Sequence, residues 1–99
     1  MLTIWKYNLE IQNDNPILMQ WKDIYEISMP VYSEFLSVGT QHNKPVMWFK
    51  VETQTDRITR KFIIVGTGRK VEPISAKYLG TFLLNEGYFV GHVFELIFS

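Results

Sequence analysis

The residues with the clearest chemical potential are Gly66, Thr67, Gly68, Arg69 and Lys70, which directly follow a short apolar run at 62–65. A Gly-Thr-Gly turn can expose backbone N–H groups, and two adjacent cations favour an anion at the same place. The spacing is not that of a P-loop, and no third glycine completes a dinucleotide-binding motif. Two interpretations stay open: a weak anion-binding turn, or a tight turn that only ends a buried strand.

His92 and Glu95 are the second pair with chemical potential, as metal ligands or as an acid and a base. Residues three apart on a strand point to opposite faces, so these two cannot hold one ion. The chain has no cysteine, which excludes disulfides and thiolate metal sites. It also lacks the Gly-x-Ser-x-Gly motif of a nucleophilic serine. We expect a protein that is not an enzyme and holds no metal or cofactor.

The charge pattern bears on the choice of partner. The formal net charge is +0, which favours neither nucleic acid nor an anionic membrane. Between Arg57 and Lys77, however, six cationic side chains stand against Glu72 alone, a local net charge of +5. Aromatic residues make up 15% of the chain, more than so small a domain easily buries. A partner surface is therefore predicted, and its candidate residues are Trp48, Lys50, Arg60, Lys77 and Tyr78.

Alternating apolar and polar residues predict the strands of the first half of the chain, at 3–11, 22–29 and 35–41, and a fourth that begins at Pro45. A turn is expected at 42–44, where Asn43 tolerates positive φ, and a polar loop at 53–59. The predicted inward-facing side chains are Trp5, Tyr7, Leu9, Ile11, Tyr25, Ile27, Met29, Leu36, Val38, Met47, Phe49 and Val51.

The second half is predicted to contain a central strand at 60–67, buried on both faces because its apolar run is continuous. Residues 71–77 read as a connection with a helical turn at 75–77. A hairpin closes the chain, with strands at 78–84 and 88–97 around Asn85-Glu86-Gly87. Gly80 and Gly91 inside these strands indicate a bulge or the close approach of a neighbour.

These elements predict one domain, 1–99, of all-β class and mainly antiparallel. Its architecture is expected to be a compact β-sandwich or a partly open β-barrel of about seven short strands. The first residues lack the continuous apolar run of a signal peptide, and no stretch approaches the ~20 apolar residues of a membrane span. We expect a soluble intracellular protein. Surplus aromatic residues and an exposed strand edge favour a homo-oligomer.

Ordered blocks of residues between Trp5 and Glu95 carry a family resemblance. They are Lys6-Tyr7-x-Leu9-Glu10-Ile11, Met29-Pro30, Leu36-Ser37-Val38-Gly39-x-Gln41, Lys44-Pro45 with Trp48, Arg60-Lys61-Phe62-x-Ile64-Val65-Gly66-Thr67-Gly68, Tyr78-Leu79-Gly80-Thr81-Phe82 and His92-Val93-Phe94-Glu95. In these blocks the chain resembles a family of small uncharacterised bacteriophage and prophage proteins, defined by a domain of unknown function. The last four residues extend past the family's usual end at Glu95.

The resemblance implies phage origin and an accessory role in the cytoplasm of the infected bacterial host. It implies no activity. Small phage proteins often act by stoichiometric binding, so we expect a counter-defence or host-modulating protein that blocks a host protein or sequesters an anionic nucleotide-type ligand. The alternatives are a structural or assembly protein of the virion and a binder of single-stranded nucleic acid.

Overall fold

Short runs of β-branched and aromatic residues separated by turn-forming residues produce seven strands. A computed structural model describes residues 1–9, 24–71 and 75–97. The strands are β1 (Leu2–Asn8), β2 (Tyr25–Pro30), β3 (Ser33–Gln41), β4 (Lys44–Glu52), β5 (Arg57–Gly66), β6 (Ala76–Leu84) and β7 (Phe89–Leu96). The only helical element in the described ranges is a 3₁₀ turn, Asn85–Gly87. The predicted all-β class is confirmed.

The strands form two antiparallel sheets, of three strands in the order β1-β4-β3 and of four in the order β2-β5-β7-β6. The core lies between them, and both sheets contribute alternate residues to it, as a sandwich requires. Its buried members are Leu9, Tyr25, Met29, Met47, Phe49, Val51, Phe62, Ile64, Phe82, Leu84 and Val93. The predicted inward faces of β1, β2 and β4 are therefore confirmed over the described residues, whereas Ile11 lies outside them.

Strand β5 runs through the centre of the four-stranded sheet, between β2 and β7. Phe62 and Ile64 enter the core between the sheets, while Ile63 and Val65 join Leu96 in a second apolar cluster on the outer face. This confirms the strand buried on both faces. The predicted loop at 53–59 is too long, because Ile58 and Thr59 pair with β2 and extend β5 back to Arg57.

A β-bulge in β3 changes which residue faces the core. The register with β4 shifts between Phe35 and Ser37, so Leu36 is the extra residue of the bulge. Phe35 and Val38 pack against the core, and Leu36 is exposed. The prediction that Leu36 points inward is wrong, because a bulge breaks the strict alternation on which it rested.

Strand β6 starts earlier than predicted and approaches β3 closely. Ala76 and Lys77 pair with β7, so the helical turn predicted at 75–77 is wrong. A register shift between Tyr78 and Gly80 confirms the bulge that Gly80 indicated. A Cβ added at Gly80 would lie 2.9 Å from Cβ of Val38 on β3, so the two sheets nearly touch along this side.

Two turns meet at one end of the sandwich. His42 and Asn43 both have positive φ, 50° and 58°, as the two-residue hairpin turn between β3 and β4 requires. The Asn43 side chain donates to Oδ1 of Asn85 at 2.6 Å and accepts from the backbone N–H of Asn85 at 2.7 Å. The Asn43 side-chain amide therefore connects the β3–β4 turn to the β6–β7 turn.

In the described part of the chain, no helix is long and apolar enough to span a bilayer.

Candidate functional site

His92 lies on β7 with its ring on the outer face of the four-stranded sheet, because its neighbour Val93 points into the core. Thr67 Oγ1 is 2.8 Å from Nε2 of the ring, and Thr81 Oγ1 is 2.9 Å from Nδ1. Strand order explains the contact: β5 and β6 flank β7, so the end of β5 and the middle of β6 both meet His92. Both ring nitrogens are thus engaged by hydroxyl groups.

The hydrogen-bonded chain continues to an exposed aromatic side chain. Tyr78 Oη is 2.6 Å from Oγ1 of Thr81, and the Tyr78 ring packs edge-on against Phe94 with centroids 5.6 Å apart. The Tyr78 side chain is 54% exposed. We call Thr67, Tyr78, Thr81 and His92 the His92 cluster. It presents an oriented set of polar groups beside an accessible ring.

The turn that follows β5 reaches this cluster through the Thr67 hydroxyl. Two of its backbone N–H groups already donate within the protein, that of Thr67 to Val90 O at 3.2 Å and that of Arg69 to Gly66 O at 3.0 Å. Gly68 supplies the positive φ, 87°, that closes the turn. The side chains of Thr67 and Arg69, more than the backbone amides, are therefore the groups that this turn offers to an anion.

The hydrogens of the His92 cluster can be arranged in more than one way. A neutral imidazole has one donor and one acceptor nitrogen, and each hydroxyl can donate or accept. The chain can therefore run from Tyr78 towards Thr67 or in reverse, whereas an imidazolium would donate at both ends. Such a set can adapt to ligand groups of either polarity. Such a cluster is suited to binding, because a hydroxyl or the imidazole can donate a hydrogen bond to a ligand oxygen without a change in the backbone.

Glu95 takes no part in this cluster, as the period of the strand predicted. Its carboxylate points to the inner face, where Arg60 donates to both oxygens at 2.6 and 2.7 Å. The opposite orientations of His92 and Glu95 are therefore confirmed. Over residues 1–9, 24–71 and 75–97, no three metal-ligating side chains are grouped closely enough to hold an ion.

The five residues of the predicted partner surface are distributed over different faces. Trp48 and Lys50 lie on the outer face of the three-stranded sheet, where Lys50 approaches Glu34 at 3.6 Å. Arg60 lies between the sheets and also donates to Ser33 O at 2.8 Å. Lys77 and Tyr78 are neighbours on β6. The structure thus connects Tyr78 to Thr67 of the predicted anion-binding turn through Thr81 and His92, and it places Trp48, Lys50 and Arg60 on other faces.

Within the stretch of local charge +5, the three cations of β5 have separate partners once the chain folds. Arg57 donates to Ser28, Arg60 binds Glu95, and Lys61 lies 4.0 Å from Glu26. Alternation along β5 places Arg60 on the inner face and Arg57 and Lys61 on the outer face, so the three cations do not share one surface.

Sequence reasoning missed Thr81 and the contacts of the His92 ring with two threonine hydroxyls. The local pattern pairs His92 with Glu95, as metal ligands or as an acid and a base, and Thr81 belongs to no motif that carries chemistry. The one signal that could have found them is the pairing of β7 with both β5 and β6. That order brings residues 67, 81 and 92 together, and it is not encoded in any local pattern.

Comparison with known protein families places the chain in a defined group. The family model of a domain of unknown function, DUF7352, matches residues 1–98. The protein belongs to this family. The match continues to residue 98, so residues 96–98 lie within the family domain, beyond the end at Glu95 that the resemblance implied. No curated protein and no solved structure matches the chain.

Proposed function

We propose that this protein is a non-catalytic binding protein that holds an anionic, nucleotide-type ligand at the His92 cluster. The observation that carries the proposal is the hydrogen-bonded chain from Tyr78 through Thr81 and His92 to Thr67. It connects an exposed aromatic ring to a turn that bears Arg69. A base and a phosphate at the two ends of one ligand require these two kinds of group.

The chemistry of each end supports this ligand class. The Tyr78 ring offers a face on which a base can stack, a contact worth about 1–3 kcal/mol in nucleic-acid-binding proteins. At the other end, the Arg69 guanidinium can bind a phosphate with charge-assisted hydrogen bonds. His92 and the two threonine hydroxyls lie between them and can bind sugar hydroxyls or further phosphate oxygens.

The biological setting proposed here follows from the resemblance to phage proteins. In the cytoplasm of an infected bacterium, a small protein that sequesters a signalling nucleotide would deprive a host defence of its signal. Such a protein acts as an inhibitor by stoichiometry, so its affinity and its abundance set the effect.

A thermal-shift screen tests the ligand class. Nucleoside monophosphates, cyclic dinucleotides and cyclic trinucleotides are compared with inorganic phosphate, which carries the charge without the base. We expect a nucleotide to raise Tm more than phosphate does at equal concentration, since ligands that bind only the folded state stabilise it. The proposal is refuted if, in a screen that reaches millimolar concentrations, every nucleotide raises Tm no more than inorganic phosphate does.

Matched variants locate the site. Arg69→Ala and Tyr78→Ala should each reduce the Tm shift, the first by loss of phosphate contacts and the second by loss of stacking. Lys50→Ala is the control, because Lys50 is an exposed cation on the other sheet. An equal loss in all three variants would mean that the ligand binds through non-specific charge.

A second candidate function is the blocking of a host protein, and one observation favours it. The outer face of the three-stranded sheet exposes Leu2, Ile4 and Leu36 around the half-buried Trp48. Exposed apolar residues near a large aromatic are typical of protein interfaces. Pull-down from infected cells with wild-type protein and Trp48→Ala tests this: a host protein retained only by the wild type would support blocking.

A further inference from the structure

Edge strands present backbone N–H and C=O groups that no neighbour satisfies, and proteins commonly protect them against pairing with other chains. The two sheets have four such strands, β1 and β3 in one and β2 and β6 in the other. Three of the four carry a proline, a β-bulge or a carbonyl group that a side chain caps. Strand β1 is the exception.

The free edge of β2 is blocked by a proline and an arginine. Val31 N–H donates to Asp56 O, so the odd-numbered residues of β2 face β5 and the even-numbered ones face outwards. Among these, Pro30 has no N–H, and the Ser28 carbonyl accepts from Arg57 at 2.8 Å. An incoming strand would therefore find no donor at Pro30 and an acceptor at Ser28 that is already engaged.

The free edges of β3 and β6 protect one another. Both strands are bulged, at Leu36 and between Tyr78 and Gly80. The Thr40 hydroxyl of β3 donates to Leu83 O of β6 at 3.0 Å. At the other end of β3, Ser33 O accepts from Arg60. Bulges and capped carbonyls prevent a regular ladder on either strand.

Strand β1 has none of these features over its seven residues. Its one charged side chain, Lys6, is directed away from the open edge, because its ammonium donates to Oε1 of Gln41 on β3 at 2.7 Å. Leu9 N–H donates to Pro45 O and Thr53 N–H donates to Met1 O, so the odd-numbered residues face β4. The backbone groups of Leu2, Ile4, Lys6 and Asn8 therefore face the open edge. Within the described ranges, no strand, proline or capping side chain covers them. Leu2 and Ile4 beside this edge are 65% and 60% exposed.

The composition of β1 is compatible with pairing to a second copy of the same strand. Lys6 is its only charged side chain, and the terminal ammonium of Met1 already pairs with Glu52. In a continuous sheet made by a two-fold axis, core-facing residues of one β1 lie opposite core-facing residues of the other. Paired residue numbers are then both odd or both even, so the axis passes through a residue and not between two residues. An axis at Lys6 would oppose two cations, and one at Ile4 would leave Asn8 outside the ladder. An axis at Trp5 pairs the whole strand and sets Lys6 opposite Ile4.

We propose that β1 pairs antiparallel with β1 of a second copy of this chain about a two-fold axis at Trp5. The two three-stranded sheets then form one continuous six-stranded sheet. Each edge-facing residue exchanges two N–H···O bonds with its opposite. The inference is independent of the ligand proposed for the His92 cluster, since that cluster lies on the other sheet.

Two substitutions at Ile4 test the pairing, because position 4 lies opposite Lys6 of the second copy twice in each dimer. Ile4→Glu creates two attractive pairs and Ile4→Lys two repulsive pairs, with the same loss of apolar surface. We expect the dimer dissociation constant of Ile4→Lys to exceed that of Ile4→Glu by a factor of about 2 to 30, since each cross-strand charge pair contributes about 0.2–1 kcal/mol and the dimer has two. Sedimentation equilibrium measures both. A monomer at every concentration, or equal constants for the two variants, would overturn the proposal.

Cysteine cross-linking tests the register, and the natural chain has no cysteine to interfere. Opposite residues of a bonded antiparallel pair have Cα atoms about 5.5 Å apart, within disulfide range. A mixture of Ile4→Cys and Lys6→Cys chains should oxidise to a linked dimer, whereas neither variant alone should. Linkage of Ile4→Cys alone, or of Lys6→Cys alone, would overturn the Trp5-centred register. A mixture that stays unlinked would do the same, provided that circular dichroism shows folded chains.

Discussion

At the scale of single residues, the Tyr7 hydroxyl is buried and has no hydrogen-bond partner in the described part of the chain. Its ring packs edge-on against Phe49 with centroids 5.7 Å apart, which holds the side chain at the core. Burial raises the pKa of Tyr7, and the positive charge of Arg57 opposes this shift. The neutral hydroxyl is therefore preferred in the folded state.

Replacing Tyr7 by Phe should leave stability unchanged or raise it by about 1 kcal/mol, because the change removes a buried polar group without exposing a partner. The pH dependence should change as well. With a folded pKa above the unfolded value of about 10, stability is fully present below pH 10 and is lost as the pH rises beyond it. Urea unfolding between pH 8 and 11 measures both effects.

The control for this prediction is Tyr32→Phe, since Tyr32 is exposed. It should leave the free energy of unfolding within about 0.5 kcal/mol. A Tyr7→Phe variant that loses more than this would show that the hydroxyl contributes a stabilising interaction.

Glu52 has the opposite shift. Hydrogen bonding to the terminal ammonium of Met1 and to Gln54 N–H lowers the pKa of its carboxyl. A lowered folded pKa gives stability that is present above the ordinary glutamate value, about 4.3, and that disappears as the pH falls through the folded value. Wild type should thus be more stable than Glu52→Gln at pH 6.

Thermal unfolding from pH 2 to 7 checks this, with the difference in Tm between the two proteins narrowing towards pH 2. The ion pair lies at the surface, so added salt should shrink the difference at pH 6. A constant difference across this pH range would contradict an ionised Glu52 as its source.

At the scale of elements, bulges and glycines decide how strands pack. Gly80 allows β6 to approach Val38 of β3, and Gly91 lets β7 pass under the Phe82 ring of its neighbour β6. A Cβ at Gly91 would overlap that buried ring. These two glycines therefore set distances within and between the sheets, which a local propensity does not describe.

Gly91→Ala is expected to destabilise the protein by about 1–3 kcal/mol, because Phe82 is almost fully buried and has little room to move. Chemical denaturation measures the loss. Adding Phe82→Leu should recover part of it by removing the ring atoms that clash. Gly66→Ala is the matched control, since its nearest side-chain atoms lie 3.6 Å from the new Cβ. Equal losses at both glycines would contradict the packing explanation.

At the scale of the whole molecule, Arg60 joins the two sheets. It extends from β5, binds Glu95 of β7 through both carboxylate oxygens, and donates to Ser33 O of β3 in the opposite sheet. Its guanidinium carbon lies 5.1 Å from the centroid of the Phe49 ring on β4. Four strands therefore converge on one partly buried cation.

Removing one member of the pair should cost more than removing an exposed ion pair. Glu95→Gln leaves the guanidinium without its charged partner, and we expect a loss of about 1.5–3 kcal/mol, as for hydrogen bonds to charged groups. A double-mutant cycle with Arg60→Met should give a coupling energy of about 1–3 kcal/mol. Lys50→Met with Glu34→Gln is the surface reference, for which coupling should be below about 1 kcal/mol. Similar coupling in both cycles would contradict a special role for the Arg60 pair.

Much of the fold was determined by the sequence alone, because its signals are local. Alternation identified the inward faces of β1, β2 and β4, and the continuous apolar run identified β5 as buried on both faces. Asn43 and Gly87 marked turns through their tolerance of positive φ. These features depend on neighbouring residues only, so a linear pattern is enough to predict them.

Tertiary structure decided the features that depend on residues far apart in the chain. The bulge that exposes Leu36, the extension of β5 over Ile58 and the start of β6 at Ala76 follow from pairing with other strands, which can override local composition. The His92 cluster arises in the same way, since only the order β5-β7-β6 places Thr67 and Thr81 on either side of His92. The sequence pattern specifies the face of its own strand on which a side chain lies. Strand order specifies which residues that side chain contacts, and the packing of the whole core sets this order.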